Sequence, residues 1–343
     1  MTDKSTHRVE VVPVILEKHP NADALSIVKI WGYSVIVRSN DWLGVDKGAY
    51  VVPDSLVPNK PPFEFLFAGD AMQSRYEPNA DGTASKSEDG NYTRITVRKF
   101  RGMISQGLLV AAPEGSKIGD DVAEQYGVLR YEPPPSMSTA GETEKPPQGL
   151  IMPRYDVDSF FRYGHVFNEG EEVICTEKIH GTSSRFVWHD DRIHCGSRDE
   201  WKRSDEKIVW WRILKFCPWI EKFCHEHPDL VVYGEVYGKV QKLRYGLPNE
   251  VRLAVFDLWD KSRFLDYDEA REVGKDLVWV PEVYRGAFNW AKLKELSNGN
   301  SLIPGANHVR EGIVVKPVKE RTHIEIGRVQ LKIVSDEYLE KEK

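Results

Sequence analysis

A proline-rich segment with no hydrophobic period divides this chain into two parts of different character. Residues 131–149 read YEPPPSMSTAGETEKPPQG, in which proline clusters alternate with small polar residues, a composition typical of a linker. The sequence before it reads as short strands, whereas the sequence after it mixes strands with helical segments. At about 150 residues per domain, a chain of 343 residues has room for two domains. We therefore predict a first domain over residues 1–132, a linker over 133–149 and a second domain over 150–343.

The first part has the pattern of a small all-β barrel. Short β-branched runs such as RVEVVPVILE, LSIVKI, YSVIVRS and GAYVVP are separated by turn signals. A polar insertion at 70–91 has no apolar period and is expected to form a mobile hairpin loop. The segment that follows, YTRITVRKFRGMISQGLLVA, alternates apolar residues with Arg94, Arg98, Lys99 and Arg101. These cations could follow a phosphate backbone, or they could be the solvated face of a strand.

The overall charge argues against a polyanionic partner, although it does not decide the question. Lys and Arg number 47 and Asp and Glu number 53, so the net charge is −6, whereas nucleic-acid-binding proteins usually carry positive charge. Binding depends on local charge, however. No apolar run reaches the ~18 residues of a membrane span, and MTDKSTHRVE lacks the apolar core of a signal peptide. With four cysteines and no C-x-x-C pair, we expect a reducing, cytoplasmic location, with Cys217 and Cys224 packed on a helix.

A lysine at the end of an apolar strand is the first candidate for chemistry. The sequence VICTEKIHGTSSRF, residues 173–186, reads as a strand that contains Lys178 and ends at Gly181. Burial disfavours the ammonium form, and nearby cations act in the same direction, so a lysine here can become a neutral nucleophile. Taken alone, K-x-x-G is also compatible with a surface lysine that precedes a turn.

Further segments place charged residues in or beside apolar strands, where an unpaired charge is costly. They follow one another as CGSR at 195–198, VVYGEV at 231–236, VFDLW at 255–259, EGIVVK at 311–316 and QLKIV at 330–334. Each could be structural by itself, since charges at strand ends are common. Their joint occurrence in one domain indicates a functional site.

In this order the segments resemble the motif series of the covalent nucleotidyltransferase superfamily of ligases and capping enzymes: K-x-x-G, S-R, Y-G-E, F-D, E-G-x-V-x-K and a final strand lysine. The form K-x-H-G is similar to that of RNA ligases. In the first part, HPNADALSIVKI, YVVPDSLVP and RGMISQGLLVA resemble tRNA-binding OB-fold domains, and an OB module ahead of such a transferase resembles the Deinococcus-type RNA ligase family. The implied fold class is α+β, with an N-terminal OB-fold β-barrel and a C-terminal nucleotidyltransferase domain of antiparallel sheets and flanking helices.

The resemblance implies an ATP-dependent RNA ligase that joins 3′-OH and 5′-phosphate ends. Lys178 would attack the α-phosphate of ATP to give lysyl-AMP, a 5′-phosphate would then take the AMP, and a 3′-OH would finally displace it. Lys316 and Lys332 would neutralise charge on the α-phosphate and help to keep Lys178 deprotonated. Glu235 and Glu311 would hold Mg²⁺, with Mn²⁺ as an alternative.

The resemblance also implies a set of nucleotide contacts. Phe256 would stack on adenine, Arg198 would contact the ribose or phosphate, and Glu177 would lie near the base or ribose. His180 would orient the loop or a phosphate, although a lone histidine in apolar surroundings is more often a core residue. The full set of expected cofactor-binding residues is Glu177, His180, Gly181, Arg198, Glu235, Phe256, Glu311, Lys316 and Lys332.

One motif departs from the family pattern. Many ligases end in K-x-K, whereas here Val334 stands two positions after Lys332. The phosphate contact of the second lysine would then fall to Lys316.

Two kinds of alternative remain open. The chain could be another transferase of the superfamily, either a DNA ligase or a GTP-using capping enzyme, although K-x-H-G and the domain order speak against this. It could also be a non-catalytic RNA-binding protein of the OB type, which would require decayed motifs. The partners that the resemblance implies are ATP and RNA, or an RNA/DNA duplex with a nick, bound by a monomer with no membrane association.

Overall fold

The computed structural model describes residues 7–68, 74–134, 139–153 and 155–341. The chain forms two compact units, Met1–Pro134 and Pro135–Lys343. Mostly antiparallel sheets with short helices make up both units, which is an α+β architecture. No helix among the described residues is long and apolar enough to cross a membrane.

The first unit consists mainly of short antiparallel strands. In chain order they are β1 (Val9–Pro13), β2 (Leu16–Lys18), β3 (Leu25–Ile30), β4 (Tyr33–Arg38), β5 (Lys47–Val51), β6 (Ser55–Pro58), β7 (Arg75–Pro78), β8 (Ala84–Lys86), β9 (Tyr92–Arg94), β10 (Arg98–Phe100), β11 (Met103–Ser105), β12 (Leu108–Ala111) and β13 (Leu129–Arg130). The sheets have the orders β1-β5-β12, β2-β3-β4, β10-β11 and β13-β6-β9-β7-β8. The helical turns are Ser39–Trp42, Glu64–Leu66 and the helix α1 (Ala123–Tyr126).

Strand β5 lies at the centre of this unit because both of its faces are apolar. Ala49 and Val51 pack with Val9 of β1 in one buried cluster. Tyr50, which points the opposite way, belongs to a second cluster with Val28 of β3. Side chains alternate between the two faces of a strand, so these odd and even positions serve two parts of the core.

The insertion at 70–91 is a hairpin, as expected, but it joins a sheet instead of forming a separate loop. Strand β7 pairs with both β8 and β9. Tyr76 and Ala84 are buried with Leu56, and these apolar contacts outweigh the polar composition of the segment. Residues 70–73 lie outside the described part of the chain.

The basic run after the insertion divides into paired and exposed residues. Arg94 Nε donates to Asp54 Oδ1 at 2.9 Å, so this cation is used within the unit. Arg98 and Lys99 are exposed on β10, and Arg101 is exposed in the turn to β11. The exposure of the last three is compatible with both interpretations, a solvated strand face and a contact with a phosphate backbone.

The second unit is built around two larger sheets. Its strands are β14 (Thr143–Glu144), β15 (Asp158–Ser159), β16 (Glu172–Lys178), β17 (Thr182–His189), β18 (Arg192–Gly196), β19 (Trp201–Lys202), β20 (Val231–Gly238), β21 (Val251–Trp259), β22 (Glu282–Ala287), β23 (Gly312–Pro317), β24 (Thr322–His323), β25 (Gly327–Arg328) and β26 (Leu331–Val334). They form a six-stranded sheet, β14-β19-β18-β17-β20-β21, a five-stranded sheet, β15-β26-β23-β16-β22, and the hairpin β24-β25.

Short helices cover these sheets. They are α2 (Phe160–Tyr163), α3 (Val209–Phe216), α4 (Trp219–Glu226), α5 (Tyr267–Val273), α6 (Trp290–Leu296) and α7 (Asp336–Lys341), with a helical turn at Gly164–Val166. The helical segment around Pro218 is interrupted there, as the sequence predicts, because proline cannot continue the preceding hydrogen-bond ladder. Cys217 and Cys224 pack in the core beneath the six-stranded sheet, which confirms their interpretation as packing residues.

The predicted linker is not a free connection along its whole length. Thr143 and Glu144 form β14, which pairs with β19 at the edge of the six-stranded sheet. Glu144 also lies 3.1 Å from His194 Nδ1, so a side-chain contact holds the strand in place. Proline-rich composition predicts the absence of long regular structure, but it does not exclude a two-residue edge strand.

Candidate active site

Strand register brings the three predicted lysines to one face of the five-stranded sheet. In β16 and β23, Lys178 is opposite Gly312 and Lys316 is opposite Ile174. Lys332 of β26 pairs with Val314, which itself pairs with Thr176. Because side chains alternate along a strand, positions an even number of residues apart share a face. Lys178, Lys316 and Lys332 therefore point to the same side.

Lys178 is held in an ion pair with the carboxylate that precedes β23. Its Nζ donates to Glu311 Oε1 at 2.5 Å, and both side chains are largely buried. The sequence predicts surroundings that favour a neutral lysine, but the nearest charge is negative and stabilises the ammonium form. The nucleophilic form therefore requires that this ion pair open.

His180 connects this pair to the last helix. Its Nδ1 lies 3.4 Å from Glu311 Oε2 and 3.2 Å from the hydroxyl of Tyr338 in α7. Its backbone N–H donates to Tyr245 Oη at 2.6 Å. The ring is thus fixed from two sides beside the carboxylate, which fits the expected orienting role.

The second predicted carboxylate belongs to the opposite sheet. Glu235 of β20 pairs with Ser183 of β17 and is half-buried. Burial, together with the charge of Glu311 and against the effect of Lys178, raises the pKa of Glu235 to about 8. Burial also acts on Glu311, but Lys178 and His180 outweigh it and lower the pKa of Glu311 to about 2. The pair therefore carries about one proton at neutral pH, and a bound cation could replace that proton.

A buried acidic residue neutralises Lys316. Asp257 of β21 is 1% exposed and accepts a hydrogen bond from Lys316 Nζ. Arg328 Nη1 donates to the same carboxylate at 2.9 Å, and the hydroxyl of Tyr155 also donates to it. Burial alone would raise the pKa of Asp257, but Arg328 and Lys316 lower it to about 2. Lys316 thus acts less on Lys178 than the sequence suggests.

A cavity of about 200 Å³ lies between these groups. Seven of the predicted residues line it: Glu177, Lys178, Arg198, Glu235, Phe256, Lys316 and Lys332. Glu311, His180 and Gly181 are not in its wall and reach it only through their neighbours. Typical ligand pockets hold about 300–1,000 Å³, so a whole nucleoside triphosphate requires side chains to move or the phosphates to extend outward.

Two predicted residues have structural reasons for their positions. The carboxylate of Glu177 accepts hydrogen bonds from Ser301 Oγ and the backbone N–H of Leu302, both at 2.6 Å, so it braces a loop. Gly181 packs so tightly that a Cβ would lie 2.2 Å from the carbonyl oxygen of Val236. Only glycine permits this approach.

Several residues of the site are missing from the sequence-based prediction. Tyr155 lines the cavity and packs its ring against Phe256, with centroids 4.7 Å apart. Asp257 belongs to the F-D segment, and a carboxylate in an apolar strand is the sequence feature that could have identified it as a site residue. Arg328 lies on a two-residue strand and gave no such signal.

The two glutamates fit a divalent cation that also binds substrate. Among the described residues, no group of three or more His, Cys, Asp or Glu side chains is placed to hold a metal ion. Mg²⁺ is commonly bound through one or two carboxylates, with water and substrate phosphates as the other ligands. Glu311 Oε2 is buried, and its polar contact is the 3.4 Å approach of His180 Nδ1, too poorly aligned for a hydrogen bond, so this oxygen has a lone pair to offer a metal ion.

Comparison with known proteins agrees with this architecture. Residues 171–334 match a family model described as RNA ligase, and residues 6–112 match a model described as an OB-fold domain. No curated protein matches the chain. A lysine-to-alanine mutant of the Naegleria gruberi RNA ligase with ATP and Mn is 21% identical, with a TM-score of 0.80 over 97% of this chain and 98% of that one. The same ligase with PPi is 22% identical, with a TM-score of 0.79 over 98% and 99%.

At this level of identity the likeness to solved structures concerns the fold. The family model covers both β16 with Lys178 and β26 with Lys332, so it spans the strands that form the site. The chain therefore combines an N-terminal OB-fold domain with a C-terminal domain of the RNA ligase type.

Proposed function

We propose that this protein is an ATP-dependent RNA ligase of the Deinococcus type. The observation that carries the proposal is the lysine face: Lys178, Lys316 and Lys332 converge on one cavity, with two carboxylates beside the first of them. The match to the RNA ligase model and the likeness to a ligase with ATP and Mn support this assignment.

The first step is adenylation of Lys178. Its ammonium group leaves Glu311, loses a proton, and the neutral Nζ forms a bond to the α-phosphorus while the bond to pyrophosphate breaks. Lys316 and Lys332 are placed to offset the charge that develops on the α-phosphate oxygens. The product is lysyl-AMP.

The following steps move AMP to the nucleic acid and then release it. A 5′-phosphate oxygen attacks the lysyl-AMP phosphorus and frees Lys178, which gives an adenylated 5′-end. A 3′-OH then attacks the 5′-phosphate and AMP leaves, so that one phosphodiester bond forms for one pyrophosphate and one AMP released. The covalent intermediate divides one difficult condensation into easier steps.

The side chains around the cavity are also placed for contacts with a metal ion and a nucleotide. Glu235 and Glu311 would hold Mg²⁺ or Mn²⁺, and the cation would neutralise phosphate charge. Phe256 lies in the wall where a base can stack, and Arg198 lies where it can reach ribose or phosphate. His180 and Gly181 shape the loop after Lys178, and Glu177 supports the wall.

The substrate we propose is a nick in an RNA or RNA/DNA duplex, sealed by a monomer within the cell. The exposed cations Arg98, Lys99 and Arg101 of the OB-fold domain support contact with a phosphate backbone. Their effect is local, so it is compatible with the net charge of −6.

Label transfer from α-labelled ATP tests the proposal directly. With Mg²⁺ or Mn²⁺, wild-type protein should gain one amine-linked AMP that is stable in alkali and labile in acid, as a phosphoramidate is, and Lys178→Ala should gain none. Lys222→Ala is the matched control, because Lys222 is 75% exposed on α4 and makes only a 3.9 Å contact with Glu226. Unlabelled GTP should not compete, whereas unlabelled ATP should.

Two results would reject the assignment. Absence of label on wild-type protein with either metal would exclude adenylation. Equal labelling of Lys178→Ala and wild type would place the adenylate on another residue.

A further inference from the structure

A second cavity lies in the C-terminal unit and is larger than the first. It measures about 770 Å³, and its walls come from residues 143–152 and from the segment that runs from Arg198 to Trp201. Arg198 lines both cavities, so the two spaces adjoin at its side chain. Residues 143–152 lie outside the range 171–334 that matches the RNA ligase model. This cavity is wide enough for a nucleotide.

An arginine with an unused donor stands in the wall of this cavity. Arg185 of β17 lies between Gly196 and Tyr233 on the neighbouring strands and is only 6% exposed. Its guanidinium lies 4.6 Å from the centre of the Trp201 ring. The Nε–H is buried and has no hydrogen-bond partner among the described residues. Unsatisfied buried donors are rare, and they are most costly when the group is charged.

The backbone of the neighbouring strand packs closely against this donor. A Cβ at Gly196 would lie 3.0 Å from Arg185 Nε, tighter than most real contacts. Burial lowers the pKa of Arg185. The guanidinium therefore lacks full solvation, and an acceptor atom of a ligand would restore a lost hydrogen bond.

The carboxylates around the cavity are already paired with cations. Three carboxylates line it, and each has a cationic partner: Glu144 pairs with Arg192, Asp199 with Arg198, and Glu200 with Lys202. These pairs neutralise the three carboxylates, and Arg185 adds one positive group that can donate a hydrogen bond. A planar molecule with both acceptors and donors would meet complementary groups there.

Apolar side chains complete the wall. Pro147 and Leu150 are buried in it, and Met152 is half-buried. Such surfaces pack against the faces of planar rings. Acceptors on the edge of a purine or pyrimidine are common partners of arginine. Together these features describe a nucleobase site.

We propose that the second cavity binds a nucleobase of the RNA end that is being joined, with a ring acceptor on Arg185. This inference rests on the proposed function, since it places an RNA end beside the adenylate cavity. Arg198, in the shared wall, would then separate the base from the reacting phosphate. The site would make sealing depend on the presence of a base at the reacting end.

The test pairs protein variants with abasic substrates. Arg185→Met removes the donor and keeps an apolar stem against Trp201, and Met152→Trp puts a larger side chain in the cavity wall while Arg185 is retained. Arg263→Met is the matched control, because Arg263 is 52% exposed and lies outside both cavities. Nicked substrates carry an abasic unit at either the 5′-phosphate or the 3′-OH nucleotide. Lysine adenylation and strand sealing are measured separately, and melting temperatures show that the variants fold.

The expected pattern is non-additive. For one of the two abasic positions, wild-type sealing should fall by about 10- to 100-fold, the range for a hydrogen bond to a charged group. Arg185→Met and Met152→Trp should show the same loss on the intact substrate and no further loss on the abasic one. Adenylation should stay at the level of Arg263→Met.

Three outcomes would overturn the inference. One is additive losses, and another is unchanged sealing in both folded cavity variants. The third is competition by free nucleoside monophosphates without any effect of abasic units, which would assign the cavity to a free nucleotide. Failure of the proposed function is distinguishable, since wild-type protein would then form no lysyl-AMP.

Discussion

Asp257→Asn tests whether one buried carboxylate holds two strand cations in place. Asp257 contacts Lys316 and Arg328, whose side chains are 6% and 15% exposed. The substitution keeps the size of the side chain but removes the counter-charge. Breaking a buried ion pair costs about 3–5 kcal/mol. Glu320 also lies 4.0 Å from Lys316 and pairs with Arg328, so we expect a value near the lower end, about 3 kcal/mol.

Urea unfolding of the full chain, followed by tryptophan fluorescence, measures this loss. The midpoint should fall for Asp257→Asn with no change in slope, because the surface exposed on unfolding is unchanged. Lys316→Met removes one of the two buried cations, so the double variant should lose less than the sum of the single variants. Asp268→Asn is the matched control, since Asp268 and its partner Arg285 are largely exposed and should contribute little.

The reasoning would be refuted if Asp257→Asn unfolded at the same midpoint as Asp268→Asn. It would equally be refuted if the free-energy losses of Asp257→Asn and Lys316→Met simply added in the double variant. Either result would mean that the buried carboxylate does not determine the energy of the two cations.

Acid provides an independent test of the same carboxylate. Arg328 and Lys316 lower the pKa of Asp257 from 3.8 to about 2, in spite of burial. A lowered pKa in the folded state means that the contribution to stability is complete above the unfolded pKa and is lost as pH falls through the folded one. The structure therefore predicts a loss of about 2 kcal/mol between about pH 4 and pH 2 from this group. The difference in stability between wild type and Asp257→Asn should shrink over that interval.

Three further predictions follow from other contacts. Tyr338→Phe removes the hydroxyl beside His180 and should slow lysine adenylation by about 3- to 10-fold, which corresponds to one neutral hydrogen bond. Tyr267→Phe is the control: it loses a hydroxyl contact with Glu282 and should leave the adenylation rate unchanged. A fragment over residues 135–343 should still form lysyl-AMP but seal poorly, because the OB-fold domain is proposed to contact nucleic acid, and equal loss of both steps would contradict this. Burial raises the pKa of all four thiols, so a neutral thiol reagent should label no cysteine before the protein unfolds. Rapid labelling of the folded protein would disprove the burial of Cys175, Cys195, Cys217 and Cys224.

The strand positions of the site were predictable because apolar strands with a single charge have few structural explanations. Lys178, Lys316 and Lys332 each stand in such a run, and the structure places all three on one face. Their order along the chain also carried the resemblance to RNA ligases. The α+β class and the OB-fold followed from the same short-range patterns of strands and turns.

The partners of these lysines were not predictable, because they depend on register between segments far apart in sequence. Lys178 meets Glu311 only because β16 and β23 pair as they do, and a shift of one residue would turn Lys316 to the opposite face. Asp257 reaches Lys316 from the other sheet. Local patterns describe one strand at a time. They therefore identified the three lysines, but they predicted cationic surroundings for Lys178, whereas the structure places a carboxylate beside it.

A charged residue inside a buried strand, the feature that marks the three lysines, also marks Arg185. The strand TSSRFVWH is half polar in composition, but its Arg185 lies in the buried centre of the strand beside Phe186 and Val187. Arg185 belongs to none of the motifs, yet it is buried more deeply than Lys178 and has an unused donor. A buried charge must be compensated by a neighbour or by a ligand. Tyr233 and the Trp201 ring contact this guanidinium, but no described residue accepts a hydrogen bond from Nε, so an acceptor atom of a ligand would complete its compensation even though no family motif includes Arg185.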